Sequence, residues 1–109
     1  MRTLVIGAGE VGKSLAKVLK EFHETFVRDL KPVLVDNVKI MNICFPYSDK
    51  FEQAVKKYQA EYNPKLTIIH STVPVGTSRR LNAVHSPIHG KHPSLARGIK
   101  TFIKYILFH

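Results

Sequence analysis

The 109-residue sequence predicts a single α/β domain, with a parallel sheet of about five strands and helices on both faces. Short runs of β-forming apolar residues alternate with stretches that have the 3.6-residue period of amphipathic helices. The 44% of apolar residues is enough for a core, and 109 residues hold one compact domain. No linker, repeat or low-complexity tract divides the chain, so we treat residues 1–109 as one domain.

The first half of the chain supplies three predicted strands and two helices. Strands are expected at residues 3–6, 25–29 and 40–45. Apolar residues at helical spacing after the first strand are Val11, Leu15, Ala16, Leu19 and Phe22. Those of the second helix are Phe51, Ala54, Val55, Tyr58 and Tyr62, with Asp49 and Glu52 as its expected cap. Residues 30–39 are too few for a further helix and strand, so a helix and strand usual at this place are missing.

The second half continues the alternation. A fourth strand is expected at residues 65–70, a short helix at 78–81, a weak fifth strand at 83–86 and a last helix at about 94–105. The expected strand order, counted along the chain, is 2-1-3-4-5.

The net charge of +9 favours phosphate-rich partners. The basic residues are scattered and form no nucleic-acid motif, so a solvated surface with a positive ligand site is favoured over nucleic-acid binding. The single cysteine, Cys44, fits a reducing compartment. Without a signal-peptide pattern or an apolar run of about 20 residues, we expect a cytoplasmic chain that does not enter a membrane.

The chemistry starts at the glycines between the first strand and the first helix. Their pattern lets the chain turn tightly, lets the backbone approach a pyrophosphate, and lets the helix pack on the strand. The residues expected to hold the phosphates at this helix start are Gly7, Ala8, Gly9, Glu10, Val11 and Gly12. Asp29 ends the second strand, where an acid accepts hydrogen bonds from ribose hydroxyls. The pattern predicts a Rossmann-type site for NAD.

Two alternatives stay open at this turn. An acid at Asp29 repels a 2′-phosphate and makes NADP less favoured, whereas the neighbouring Arg28 keeps NADP possible. The other alternative is structural, with glycines that serve packing only and a solvated aspartate.

Four segments resemble the NAD-binding domain of UDP-glucose and GDP-mannose dehydrogenases, in the superfamily that includes 6-phosphogluconate dehydrogenase. They are residues 7–12, 23–29, 43–46 and 68–77, the last containing Ser-Thr-Val-Pro-Val-Gly-Thr. The resemblance covers most of residues 1–80. It implies that Phe45, Pro46 and Tyr47 border the cofactor and that Ser71 and Thr72 lie near the nicotinamide ribose. Both segments leave carboxyl ends of parallel strands, where ligands bind in such sheets.

The chain also departs from that family. The relatives continue into a helical dimerisation domain and a second nucleotide-binding domain, which carries their catalytic cysteine. Cys44 lies between apolar neighbours and is expected to be a core residue. No catalytic residue can be assigned. Because the helix and third strand usual after Asp29 are missing, the domain resembles a Rossmann fold trimmed at its outer edge.

The histidine-rich segment at residues 85–93 follows the last strand and is expected to lie over the nicotinamide end. His89 and Lys91 are possible contacts to an anionic substrate. Ordinary loop histidines are the alternative, and we predict no metal site because no carboxylate or cysteine joins them.

Two function classes follow. The first is an NAD-dependent oxidoreductase, or its cofactor-binding part, acting on a small anionic or sugar-nucleotide alcohol, with a homodimer or partner chain completing the site. The second is a non-catalytic module that senses NAD or another adenine nucleotide. Whether the chain is an enzyme stays open.

Overall fold

The computed structural model of the protein describes residues 1–87. In chain order the elements are β1 (Arg2–Ile6), α1 (Glu10–Leu19), β2 (Glu24–Arg28), β3 (Val38–Ile43), α2 (Phe51–Tyr62), β4 (Leu66–Ile69), α3 (Thr77–Arg80) and β5 (Val84–His85). The helix expected at 94–105 lies outside the described residues. Within 1–87, no helix has the length and apolar character needed to cross a membrane.

The five strands form one parallel sheet in the order β2-β1-β3-β4-β5, which confirms the expected fold and strand order. From β1 the chain passes to β2 on one side of the sheet. It then crosses back to β3 on the other side of β1 and continues outward to β4 and β5. The topological switch point therefore lies between β1 and β3, and ligands in open α/β sheets bind there, beyond the carboxyl ends of the strands.

Alternate residues of the strands face opposite helices, because side chains along a strand alternate between the two sheet faces. The core on the α2 face consists of Leu4, Ile6, Val38, Met41, Ile43, Phe51, Val55, Tyr62, Ile69 and Leu81. The core on the α1 face consists of Val5, Leu15, Ala16, Val18 and Leu19. Helices thus cover both faces, as expected.

Residues 30–37 cross from the carboxyl end of β2 to the amino end of β3 without a regular helix, as their number predicted. Val35 packs against the core on the α2 face, and the Val33 carbonyl accepts a hydrogen bond from Tyr62 Oη at 2.7 Å. Leu30 and Leu34 point outward and are 92% and 98% exposed. This extended crossing takes the place of the usual helix.

Three asparagines hold the left-handed backbone conformation shortly before a strand. Asn37, Asn63 and Asn82 have φ values of 54°, 45° and 51°, and they precede β3, β4 and β5. Asparagine adopts this conformation more readily than other residues with a side chain, because its short polar side chain bonds locally. Each asparagine reverses the chain so that the next strand runs parallel to the last.

Two local predictions are wrong. The cap of α2 is Lys50, not Asp49, and in the described residues no side chain caps this helix. Ser48 Oγ instead accepts the Lys50 N–H at 3.3 Å, just before the helix. Phe22 lies beyond the end of α1 and is 41% exposed, because the chain turns at residues 20–23 to enter β2.

Candidate functional site at the glycine turn

Gly7 and Gly12 both have structural reasons to be glycine. Gly7 has a φ of +112°, and a Cβ there would lie 3.0 Å from the Cys44 carbonyl carbon and the Phe45 nitrogen. A Cβ at Gly12 would lie 1.9 Å from the Gly7 carbonyl oxygen. The two glycines therefore permit the tight turn and the close packing of α1 on β1.

Gly9 has no such reason in the chain itself. It is the N-cap residue of α1, it is exposed, and a Cβ there would meet no heavy atom within 4 Å. Within the described part of the protein, no side chain caps this helix start. Since the first amides of a helix have no partner inside the helix, they favour an anion here.

The other residues of the turn divide between core and solvent. Val11 packs against the core on the α1 face, and Ala8 is half-buried. Glu10 is exposed in the first turn of α1. There its negative charge interacts favourably with the helix dipole and repels an incoming phosphate.

A cleft of about 200 Å³ opens beside the turn at the switch point. It is lined by Ile6, Gly7, Asp29, Leu30, Phe45, Ala54 and Tyr58. The structure thus brings together three residues chosen from the sequence, Gly7, Asp29 and Phe45. The residues from α2 and the crossing segment, which complete the cleft, were not predicted to belong to a site. Ala54 and Tyr58 were predicted only as buried helix residues.

Aromatic rings form one wall of this cleft. The ring of Phe45 lies 5.1 Å from that of Phe51 and 6.0 Å from that of Tyr58, centroid to centroid. Tyr47 lies 5.5 Å from Phe51 and is 41% exposed. Pro46 is exposed too, and neither Pro46 nor Tyr47 belongs to the lining of the cleft.

Arg28 is next to Asp29 in sequence but is engaged with side chains of α2 and does not line the cleft. It is buried, its guanidinium lies 4.9 Å from the Tyr58 ring, and it donates hydrogen bonds to Glu61 and, at 2.8 Å, to Tyr62 Oη. The arginine that kept a 2′-phosphate possible is therefore engaged under α2.

Ser71 and Thr72 lie at the end of β4, away from the lining of the glycine cleft. Ser71 Oγ donates to the Phe45 carbonyl at 2.5 Å, and His85 Nε2 lies 2.8 Å from the Ser71 carbonyl oxygen. These bonds tie together the carboxyl ends of β3, β4 and β5. Thr72 is exposed. The remaining predicted contacts, His89 and Lys91, lie outside the described residues.

Two titratable groups lie near the carboxyl ends of the strands, the buried His70 and the half-buried Cys44. His70 Nε2 lies 2.8 Å from Asn42 Oδ1, and burial lowers the pKa of His70 to about 4. Burial raises the pKa of the Cys44 thiol to about 12, and Cys44 packs against the α1-face core as expected. Near neutral pH both groups are uncharged, which makes them structural rather than reactive.

A larger hollow of about 750 Å³ lies at the opposite edge of the sheet. It is bordered by the amino ends of β1 and β3 and includes the ion-paired Arg2 and Asp36. We do not regard it as the ligand site, because ligands of doubly wound sheets bind at the carboxyl ends of the strands.

No protein-family model matches the chain, and no curated protein matches it. Among solved structures it is similar to HP1043, an orphan response regulator of H. pylori, with a TM-score of 0.60. The sequences are 14% identical, and the match covers 99% of this chain and 94% of the other. The likeness is one of fold. It is the doubly wound class with the order 2-1-3-4-5, shared by flavodoxin and receiver domains.

The identification as a nucleotide-sugar dehydrogenase domain is therefore wrong, and so is the NAD-dependent oxidoreductase function drawn from it. The five strands form a doubly wound sheet with this order, so no trimming of a larger Rossmann sheet is needed. The motifs also have local reasons. Gly7 and Gly12 serve the turn, and Ser71 joins β4 to β3. Gly76, at a φ of +92°, begins α3, and Thr77 is buried.

Proposed function

We propose that the protein is a regulatory domain that binds a small phosphorylated ligand with a flat ring at the glycine turn. One observation carries the proposal, the cleft at the switch point that joins Gly7, Asp29 and Phe45. The regulatory part draws on the similar solved structure, which is described as a response regulator.

The cleft suits one ring system. Its volume of about 200 Å³ is below the roughly 300–1,000 Å³ of pockets that enclose drug-sized ligands. Phe45 and Tyr58 offer aromatic surface on which a planar base stacks. A mononucleotide is of this size, with its ring against the aromatic wall.

Phosphate and sugar have separate partners in this arrangement. The uncapped start of α1 at Gly9 favours a phosphate, and the Asp29 carboxylate at the cleft accepts hydrogen bonds from sugar hydroxyls. NAD, the cofactor predicted from the sequence, is retained as one candidate ligand, of which the cleft takes one half.

Titration calorimetry of the full chain with AMP, ADP-ribose, NAD and NADP tests the proposal. We expect binding of at least AMP or ADP-ribose, with the ligand recovered unchanged by chromatography. Absence of heat with all four compounds overturns the binding site, and chemical conversion of the ligand overturns the regulatory assignment.

Two variants locate the ligand. Gly9→Ser places its side chain in open space and adds a preferred N-cap hydroxyl, so the protein folds while that hydroxyl occupies the phosphate position. Asp29→Asn removes the carboxylate. We expect each to weaken binding about tenfold or more. Asp49→Asn, an exposed aspartate outside the cleft lining, is the control and should bind as the unaltered chain does.

A further inference from the structure

A second groove, of about 450 Å³, runs along the outer side of α2. It is lined by Lys50, Gln53, Ala54 and Lys57. These residues have the spacing i, i+3, i+4 and i+7, which places them on one stripe of a helix. The groove therefore has a lysine at each end and an alanine between them.

Ala54 joins this groove to the cleft at the glycine turn, because it lines both. The two spaces are therefore adjacent, with one small side chain between them. With a rise of about 1.5 Å per residue, Lys50 and Lys57 lie about 6 and 4.5 Å along the helix axis from Ala54. A ligand seated in the cleft thus comes within reach of both ammonium groups.

The groove is positive and has no carboxylate in its lining. Ion pairs within residues 1–87 are made by Arg2, Arg28 and Arg80, so neither groove lysine is paired there. The hydrogen-bonded Arg80 guanidinium lowers the pKa of the Glu52 carboxyl, and Lys56, on a neighbouring stripe of α2, lowers it further. The only acid of the cleft, Asp29, is separate from the groove.

We propose that Lys50 and Lys57 form a second anion subsite, which takes the second phosphate of a nucleotide bisphosphate. The inference rests on the proposed function, in which the first phosphate is at the start of α1. A phosphate on the 3′ oxygen leaves the 2′ hydroxyl for Asp29, whereas a 2′-phosphate is repelled by that carboxylate. The ligand class is therefore a nucleoside 3′,5′-bisphosphate.

Calorimetry with three probes tests this subsite on the full chain. The probes are AMP, adenosine 3′,5′-bisphosphate and adenosine 2′,5′-bisphosphate. We expect the 3′,5′-bisphosphate to bind about tenfold more tightly than AMP, because its second phosphate accepts charge-assisted hydrogen bonds from the lysines. The 2′,5′-bisphosphate should gain less.

The double variant Lys50→Gln with Lys57→Gln should abolish this gain and leave AMP binding unchanged. A matched double variant, Lys17→Gln with Lys56→Gln, removes the same charge from exposed positions outside both linings and should keep the gain.

The outcomes separate the two proposals. If AMP binds and neither bisphosphate binds more tightly, the subsite is overturned and the proposed function stands. If both double variants lose the tighter binding of the 3′,5′-bisphosphate equally, the subsite is overturned as well, since that tighter binding then reflects the net charge of the protein. If none of the three probes binds but ADP-ribose or a dinucleotide does, the subsite is overturned and the proposed function stands. If none of all these compounds binds, both proposals fail.

Discussion

Gly9 and Gly12 lie three residues apart in one turn and have opposite surroundings. At Gly12 an added methyl group meets the carbonyl oxygen of Gly7 at 1.9 Å, whereas at Gly9 it meets nothing within 4 Å. The Gly7 carbonyl is backbone directly after β1 and cannot rotate away. The same residue type thus serves packing at one position and leaves open space at the other.

We expect Gly12→Ala to lower the free energy of unfolding by about 3 kcal/mol or more, because α1 must move away from β1. Gly9→Ser should change it by less than about 0.5 kcal/mol or stabilise slightly, since serine is a favoured N-cap residue. Urea denaturation of both variants measures the difference. Equal effects would show that the close packing at Gly12 is not as described.

At the residue scale, the sequence predicted part of the cleft lining but not the partner of each side chain. Asp29 and Phe45 were placed correctly at the glycine cleft by their positions at strand ends. Arg28 was interpreted as a possible phosphate partner, because sequence proximity does not show which distant side chains a residue pairs with. Its partners, Glu61 and Tyr62, come from a helix more than 30 residues later.

Tyr62 at the end of α2 joins three elements. Its hydroxyl accepts a hydrogen bond from Arg28 of β2 at 2.8 Å and donates one to the Val33 carbonyl at 2.7 Å. The side chain is 7% exposed, so solvent cannot replace these partners. The hydroxyl thereby fixes the crossing segment and the edge strand to α2.

We expect Tyr62→Phe to cost about 1–3 kcal/mol of unfolding free energy, because a half-buried carbonyl and a buried guanidinium each lose a partner. Tyr47→Phe is the matched control. Tyr47 is 41% exposed, and its hydroxyl removal should cost less than about 0.5 kcal/mol. Thermal or urea unfolding compares the two, and a loss of similar size in both would contradict the linking role of Tyr62.

Element types were predictable where the apolar period was strong. The spacing of Phe51, Val55 and Tyr62 predicted the buried face of α2, and all three are buried. The predicted cap of that helix was wrong by one residue. Asp49 and Glu52 match the spacing of a capping box, but the cap residue is Lys50. The left-handed asparagines before β3, β4 and β5 are a signal that could have placed these strand starts.

The strand order of the whole molecule was predictable because short connections between parallel strands leave few topologies. The protein class was not, because its two supporting motifs also satisfy local needs. In the glycine turn, Gly7 has a positive φ. In the Ser-Thr-Val-Pro-Val-Gly-Thr segment, Ser71 hydrogen-bonds the Phe45 carbonyl and Gly76 has a positive φ. Other sheets of this strand order can need the same features.

The stability of the whole molecule should depend on pH through His70. Its pKa is about 4 when folded and 6.5 as the ordinary value, so the unfolded chain binds more protons between these values. Stability is therefore fully present above pH 6.5 and is lost as the pH falls toward 4, by up to about 3 kcal/mol. Urea unfolding at pH 4.5 to 7.5 measures this loss.

His70→Gln is the control for this pH dependence. Glutamine can still donate to Asn42 Oδ1 but does not titrate, so the curve should be flatter below pH 6.5. His23, whose pKa burial also lowers, contributes a smaller slope of the same sign to both proteins. Identical slopes in the two proteins would contradict the role of His70.

The extended crossing at residues 30–37 has a consequence for how such a chain can diversify. It spans the face beside α2 with only Val33 and Val35 directed inward, and its leucines at 30 and 34 contribute almost nothing to packing. Lengthening a surface connection costs little entropy, because closure grows only with the logarithm of its length. At this one place the protein can acquire or discard a whole helix while every strand keeps its neighbours.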